Sequence, residues 1–97
     1  MELKGKQRAY LRSLANNLDT ILYVGKDGIT DNIIREANDL LDKRELIKCA
    51  VQQNAPLSAK EAIIELCDRT GASPVQTIGR RFTIYRQNEE EPVITLP

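Results

Sequence analysis

Between Leu3 and Tyr85 the apolar residues alternate between helical and strand spacing, and this alternation limits the fold more than any other feature of the chain. Leu3, Gln7, Tyr10, Leu11, Leu14 and Leu18 recur at helical intervals, which predicts a helix from about Leu3 to Asn16, its start blurred by Gly5. Thr20–Val24 is a short β-rich run closed by a glycine, the pattern of a buried strand. Gly25-Lys26-Asp27-Gly28 then forms a four-residue loop, and a helix capped by Thr30 is predicted to run to about Leu41. Asp42-Lys43-Arg44-Glu45 reads as a charged turn into a second strand, Leu46–Val51. Ser58 and Glu61 form a capping box for a helix to about Thr70, with Gly71 as its stop. Val75–Ile78 and Phe82–Tyr85 complete the pattern as a hairpin joined by Gly79-Arg80-Arg81.

The predicted order is α-β-α-β-α-β-β. Strands separated by a helix tend to be parallel, and a hairpin must be antiparallel. The expected fold is therefore a small α/β domain: a mixed four-stranded sheet with helices packed on it. With 97 residues the chain fits one domain, residues 1–97, of which about 88–97 form an acidic then apolar tail that either adds an edge strand or frays. Only 4% of the residues are aromatic, so the core must come from Ile, Leu, Val and Ala.

Several function classes are disfavoured. No apolar run approaches the roughly 20 residues of a membrane span, and the N-terminal residues have no signal-peptide core, so a cytoplasmic protein with no membrane partner is expected. Cys49 and Cys67, 18 positions apart, offer neither a CxxC motif nor a zinc site and read as reduced, partly buried thiols. There is no histidine, hence no imidazole base or His-dependent nucleophile. No carboxylates are spaced as an acid–base pair. The expectation is a non-enzyme without cofactor, metal or small-molecule substrate.

Net charge is zero, yet its distribution is uneven. Setting aside Glu89, Glu90 and Glu91 leaves 14 basic against 11 acidic residues. Lys4, Arg8 and Arg12 stack along one side of the first helix, with Lys6 adjacent, and Glu2 is the only acid before Asp19. Like charges four apart cost a few tenths of a kcal/mol each, and an unrelieved row is better tolerated when a polyanion binds it. Gly25, Lys26, Asp27 and Gly28 place a tight turn and a cation just before the amide end of a helix, beside Thr30. Such a GxxG loop suits a nucleic-acid backbone, though a short βα connection also favours glycine on geometric grounds. Arg80 and Arg81 at the hairpin, with Arg86 beyond it, add forked donors suited to phosphate. Tyr85 is either a stacking platform or a packed ring, and packing accounts for it better.

Four blocks carry a resemblance to a known family. They are Leu3-Lys4-Gly5-Lys6-Gln7-Arg8 followed by Leu14-Ala15; Val24-Gly25-Lys26-Asp27-Gly28-Ile29-Thr30; Arg44-Glu45-Leu46-Ile47-Lys48; and Val75-Gln76-Thr77-Ile78-Gly79 leading to Tyr85-Arg86. In this order they resemble the stand-alone bacterial YhbY-like proteins, single CRM (RNA-splicing and ribosome-maturation) domains. The resemblance implies a fold like the C-terminal domain of a bacterial initiation factor. It implies RNA binding through the GxxG loop and basic surface, and association with ribosomal RNA in precursors of the large ribosomal subunit. The expected protein is a monomeric, non-catalytic RNA-binding module of ribosome assembly. The alternative is a protein-interaction adaptor whose basic row meets an acidic partner while the apolar tail docks on it. Steep weakening with salt and competition by any long RNA would distinguish the first from the second.

Overall fold

The computed structural model describes residues 2–97. Its elements follow the predicted order: α1 (Gly5–Ala15), β1 (Thr20–Val24), α2 (Asp31–Arg44), β2 (Leu46–Val51), α3 (Ala59–Thr70), β3 (Ser73–Ile78) and β4 (Arg81–Tyr85). The local signals act as read. The Thr30 hydroxyl accepts from the Ile33 N–H at 3.2 Å, starting α2. Ser58 Oγ accepts from the Glu61 N–H at 3.1 Å while Glu61 Oε1 accepts from the Ser58 N–H at 2.9 Å. Gly71, at φ 77°, ends α3 by donating its N–H to the Cys67 carbonyl.

Three boundaries differ from the sequence reading. The charged segment after Leu41 is the last turn of α2, because Leu41 is fully buried and Lys43 and Arg44 suit the negative end of the helix dipole. The stop comes at Glu45, whose φ of 64° turns the chain directly into β2. β3 begins two residues before Val75 and contains Pro74, which an edge strand tolerates because its missing N–H breaks no inner ladder. The hairpin connection is Gly79-Arg80 alone, with Gly79 at φ 59°, and Arg81 already belongs to β4.

The sheet order is β1-β2-β4-β3. β1 and β2 are parallel, and β4 runs antiparallel to both β2 and β3. Strand alternation gives the sheet two different faces. Leu22, Val24, Ile47, Cys49, Val51, Phe82 and Ile84 point to one and pack with α2 and α3 through Ala37, Leu41, Ala62, Ile63 and Leu66. Leu46, Val75 and Tyr85 join Leu3, Leu11 and Ala15 of the α1 segment on the other. Each fully buried Leu or Ile contributes roughly 1.5–3 kcal/mol.

The tail neither pairs as a strand nor frays. Ile94 and Leu96 pack on the core beneath α1. The carboxylate of Glu45, buried from solvent, holds the tail backbone: Oε2 accepts from the Asn88 N–H at 2.7 Å, and Oε1 from the N–H groups of Val93 and Ile94 at 2.8 and 2.6 Å. With the tail docked, the radius of gyration is 12.5 Å, close to the ~13 Å of a compact chain of about 100 residues.

Candidate nucleic-acid interface

The strand registers bring two of the sequence-predicted features to one end of the sheet. Val24 pairs with Val51, the Gln52 N–H donates to the Val24 carbonyl at 2.8 Å, and the Val51 N–H donates to the Arg80 carbonyl at 2.8 Å. The loop that follows β1 and the turn that precedes β4 therefore flank the end of β2. Two strand spacings, roughly 10 Å, separate β1 from β4.

The loop itself is tightly made. The Gly28 N–H donates to the Gly25 carbonyl at 3.0 Å, closing a turn that leaves Lys26 and Asp27 exposed at its tip. Gly28 has φ 71°, and a Cβ there would also meet Pro56 Cγ at 3.3 Å. A Cβ at Gly25 would come within 2.8 Å of Gln52 Oε1, but that atom is the mobile end of an exposed side chain, so Gly28 is the glycine that the turn requires. An open pocket of about 490 Å³ lies here, lined by the loop with Thr30, Ile33, Gln52 and Asn54. Its amides, hydroxyl and single cation offer hydrogen-bond donors to a phosphate. Two features moderate its positive character. Asp27 stands exposed beside Lys26 at the loop tip, and Asp31 occupies the first turn of α2, where Arg69 pairs with it at 3.1 Å.

The first helix carries its basic row as read. Lys4, Lys6 and Arg12 are exposed, and Arg8 is half-buried, donating to the Leu3 carbonyl at 3.4 Å. Among the described residues no ion pair engages these four, nor Lys26, Arg80 or Arg81. α1 packs on the same sheet face to which Arg81 belongs: Arg81 pairs with Ala50, two positions from Lys48, whose Nζ donates to the Ala15 carbonyl at 3.3 Å. Lys4 stands at the opposite end of that helix, toward the tail, where Gln7 Nε2 donates to the Pro97 carbonyl.

Arg86 does not join the others. Its guanidinium is consumed internally, donating to Asn38 Oδ1 and the Thr70 carbonyl at 2.7 Å each, to the Asn38 carbonyl at 3.2 Å, and to Asp42 Oδ1 at 2.8 Å. It clamps α2 and the end of α3 to β4, at the end of the sheet away from the GxxG loop. Tyr85 is a packed ring, fully buried, and burial together with the nearby Glu45 carboxylate raises its hydroxyl above the ordinary tyrosine value. Its hydroxyl oxygen has no hydrogen-bond partner.

Two outward-facing residues, exposed Tyr23 and half-buried Lys48, escaped the sequence reading. Tyr23 and Lys48 stand between core residues of β1 and β2, and the strict alternation Leu22-Tyr23-Val24 and Ile47-Lys48-Cys49 is the signal that would have found them. Among the described residues no group of His, Cys, Asp and Glu side chains is placed to hold a metal, and no helix is long and apolar enough to cross a membrane.

Known proteins share this chain's sequence and shape. A Bacillus subtilis protein named "Probable RNA-binding protein YqeI" is 39% identical over 95 residues, covering 98% of this chain and 99% of its own. A Haemophilus influenzae protein named "RNA-binding protein" is 36% identical, covering 94% of this chain and 92% of its own. The solution structure of a Staphylococcus aureus protein, described as a candidate RNA binder, superimposes with a TM-score of 0.82 at 46% identity, over 99% of this chain and all of the other. Residues 3–86, from the start of the α1 segment to the Arg86 clamp, match the CRS1/YhbY (CRM) domain, and the chain belongs to that family.

Proposed function

We propose that this chain is a monomeric, non-catalytic RNA-binding module that holds ribosomal RNA in precursors of the large ribosomal subunit during ribosome assembly. The observation that carries the reading is the convergence of the GxxG loop and the Gly79-Arg80 turn at one end of the sheet, with the α1 row on an adjoining face and no carboxylate paired to any of these cations among the described residues. The relatives named as RNA-binding proteins support the polyanion as RNA, and the family resemblance supports the ribosomal setting. Phosphate contacts are assigned to Lys4, Lys6, Arg8, Arg12, Lys26, Arg80 and Arg81, with the loop residues Gly25, Asp27, Gly28 and Thr30 contributing backbone geometry and amides. Arg86 is left out because its donors are committed within the fold.

The adaptor reading loses its anchor. Its apolar tail was to dock on a partner, but Ile94 and Leu96 pack on the chain's own core.

Lys26→Asp tests the loop. Lys26 is exposed at the turn tip, so the variant should fold as the parent does and bind structured RNA more weakly at moderate salt. Unchanged affinity in the folded variant removes the loop from the interface. Crosslinking in cells, with sequencing of the attached RNA, tests the partner: large-subunit ribosomal RNA is expected, and its absence overturns the assembly role.

A further inference from the structure

The sheet face that carries α1 is only half covered. α1 reaches Lys48 with its last carbonyl and stops, and beyond it the registers align Tyr23 of β1, Ala50 of β2, Arg81 of β4 and Ile78 of β3 in one row across all four strands. Cross-strand partners share a face, so these side chains stand together. Three strand spacings, roughly 14 Å, separate Tyr23 from Ile78. No helix shelters the row: Tyr23 is 52% exposed and Ile78 67% exposed.

We propose that this open row is a stacking platform for the unpaired bases of single-stranded RNA, an inference that rests on the RNA-binding reading and adds a second contact class to it. Three observations select this occupant. First, the Tyr23 hydroxyl donates to the Thr20 carbonyl of its own strand at 3.4 Å, which lays the ring back along the sheet with a face outward. An outward ring accepts any unstacked base, and Arg81 in the same row can stack as well as bind phosphate. Second, the charge is of one sign. The row and its neighbour, Lys48-Thr83-Gln76, contain two cations and no acid. Third, a hollow of about 140 Å³ between the rows is lined by the amides of Asn16 and Gln76 beside Lys48 and Arg81, donors and acceptors suited to a base edge. Tyr23 lies two positions before Gly25, so a strand whose phosphate is held at the loop has its neighbouring base delivered to the ring. A duplex hides its base faces and gains nothing from the row.

The test is to titrate the full chain with a labelled single-stranded RNA, a blunt-ended duplex of the same strand, and the same strand made fully abasic. Tyr23→Ala should weaken the single strand by between about 5-fold and about 150-fold, the effect of losing one base–aromatic stack. It should leave the duplex and the abasic strand unchanged. Tyr23→Phe keeps the ring but loses the bond to Thr20, and should retain most of the affinity that Tyr23→Ala loses, which separates stacking from any structural cost of truncation. Tyr23→Ala binding the intact single strand as tightly as the parent, while Lys26→Asp weakens it, overturns the platform and leaves the phosphate reading standing. Equal weakening of all three ligands by Tyr23→Ala also counts against stacking. A parent chain that binds none of the three overturns both readings together.

Discussion

Single residues in this chain divide sharply between those that face out with free charge and those whose chemistry is spent inside. The cysteines belong to the second group. Cys49 is buried in the sheet, and burial with the Cys67 sulfur nearby pushes its thiol from an ordinary 9.0 up to about 12. Burial alone takes Cys67 to about 11. Both thiols therefore stay protonated at neutral pH, and the thiolate is the reactive form. Maleimide or iodoacetamide labelling should be slow in the folded protein and fast in denaturant. The linkage has a definite sign. The folded state binds these protons more tightly than the unfolded state, so their contribution to stability is fully present below pH 9 and is lost as pH rises toward 11–12. Denaturation midpoints that stay flat from pH 9 to 11 in the parent but not in a Cys49→Ala, Cys67→Ala variant would contradict this assignment. RNA affinity in that variant should match the parent, because neither sulfur reaches the candidate interface.

At the scale of elements, the tail shows what local pattern conveys and what it omits. Element order, both helix caps and the GxxG loop were legible because each is written in residues three or four apart: Thr30 with Ile33, Ser58 with Glu61, Gly25 with Gly28. The role of Glu45 was not, because its partners Asn88, Val93 and Ile94 lie 43 to 49 positions away, and in sequence it looks like one more charge in a polar turn. Arg86 was misplaced for the same reason, its acceptors Asn38 and Asp42 lying 48 and 44 positions back. Long-range pairing leaves no periodic trace. The observed geometry makes a specific demand on the tail. Replacing Glu45 by Ala leaves the tail amides without their acceptor, and hydrogen bonds to a charged group contribute about 1.5–3 kcal/mol. We expect a loss on that order in urea unfolding, with residues 88–94 losing hydrogen-exchange protection first. Glu45→Gly also lacks the carboxylate but accepts the φ of 64° more readily, so it should be less unstable than Glu45→Ala while showing the same loss of tail protection. A tail that stays protected in both variants would show that Ile94 and Leu96 hold it by packing alone.

For the whole molecule the question is whether separate cations act as one surface. The sequence fixes which face of each element is basic but not how elements dock, and docking is what the structure supplies. α1 lies on the sheet face to which Arg81 belongs, and the GxxG loop and Gly79-Arg80 turn close the end of that sheet. A structured RNA crossing from the end of the sheet onto α1 would meet Lys26, Arg80, Arg81 and Arg12 in turn, and the contacts would be to phosphate and so tolerant of sequence. This arrangement makes a quantitative statement about salt. Each phosphate contact contributes a slope of roughly −0.7 to −0.9 in log affinity against log salt. Replacing Arg8 and Arg12 by Ala should flatten the slope by about one to two units and weaken binding to all structured RNAs alike. Arg12 is fully available, whereas Arg8 already spends one donor on the Leu3 carbonyl, so the Arg12→Ala single variant should account for the larger share. The measurement is affinity from low to moderate salt on two hairpins of unrelated sequence. An unchanged slope would mark the α1 row as ordinary solvated surface, and a loss confined to one hairpin would point to base reading there. A parallel loss on both, with the slope reduced, is the signature of one continuous phosphate-binding face spanning the helix and the sheet end.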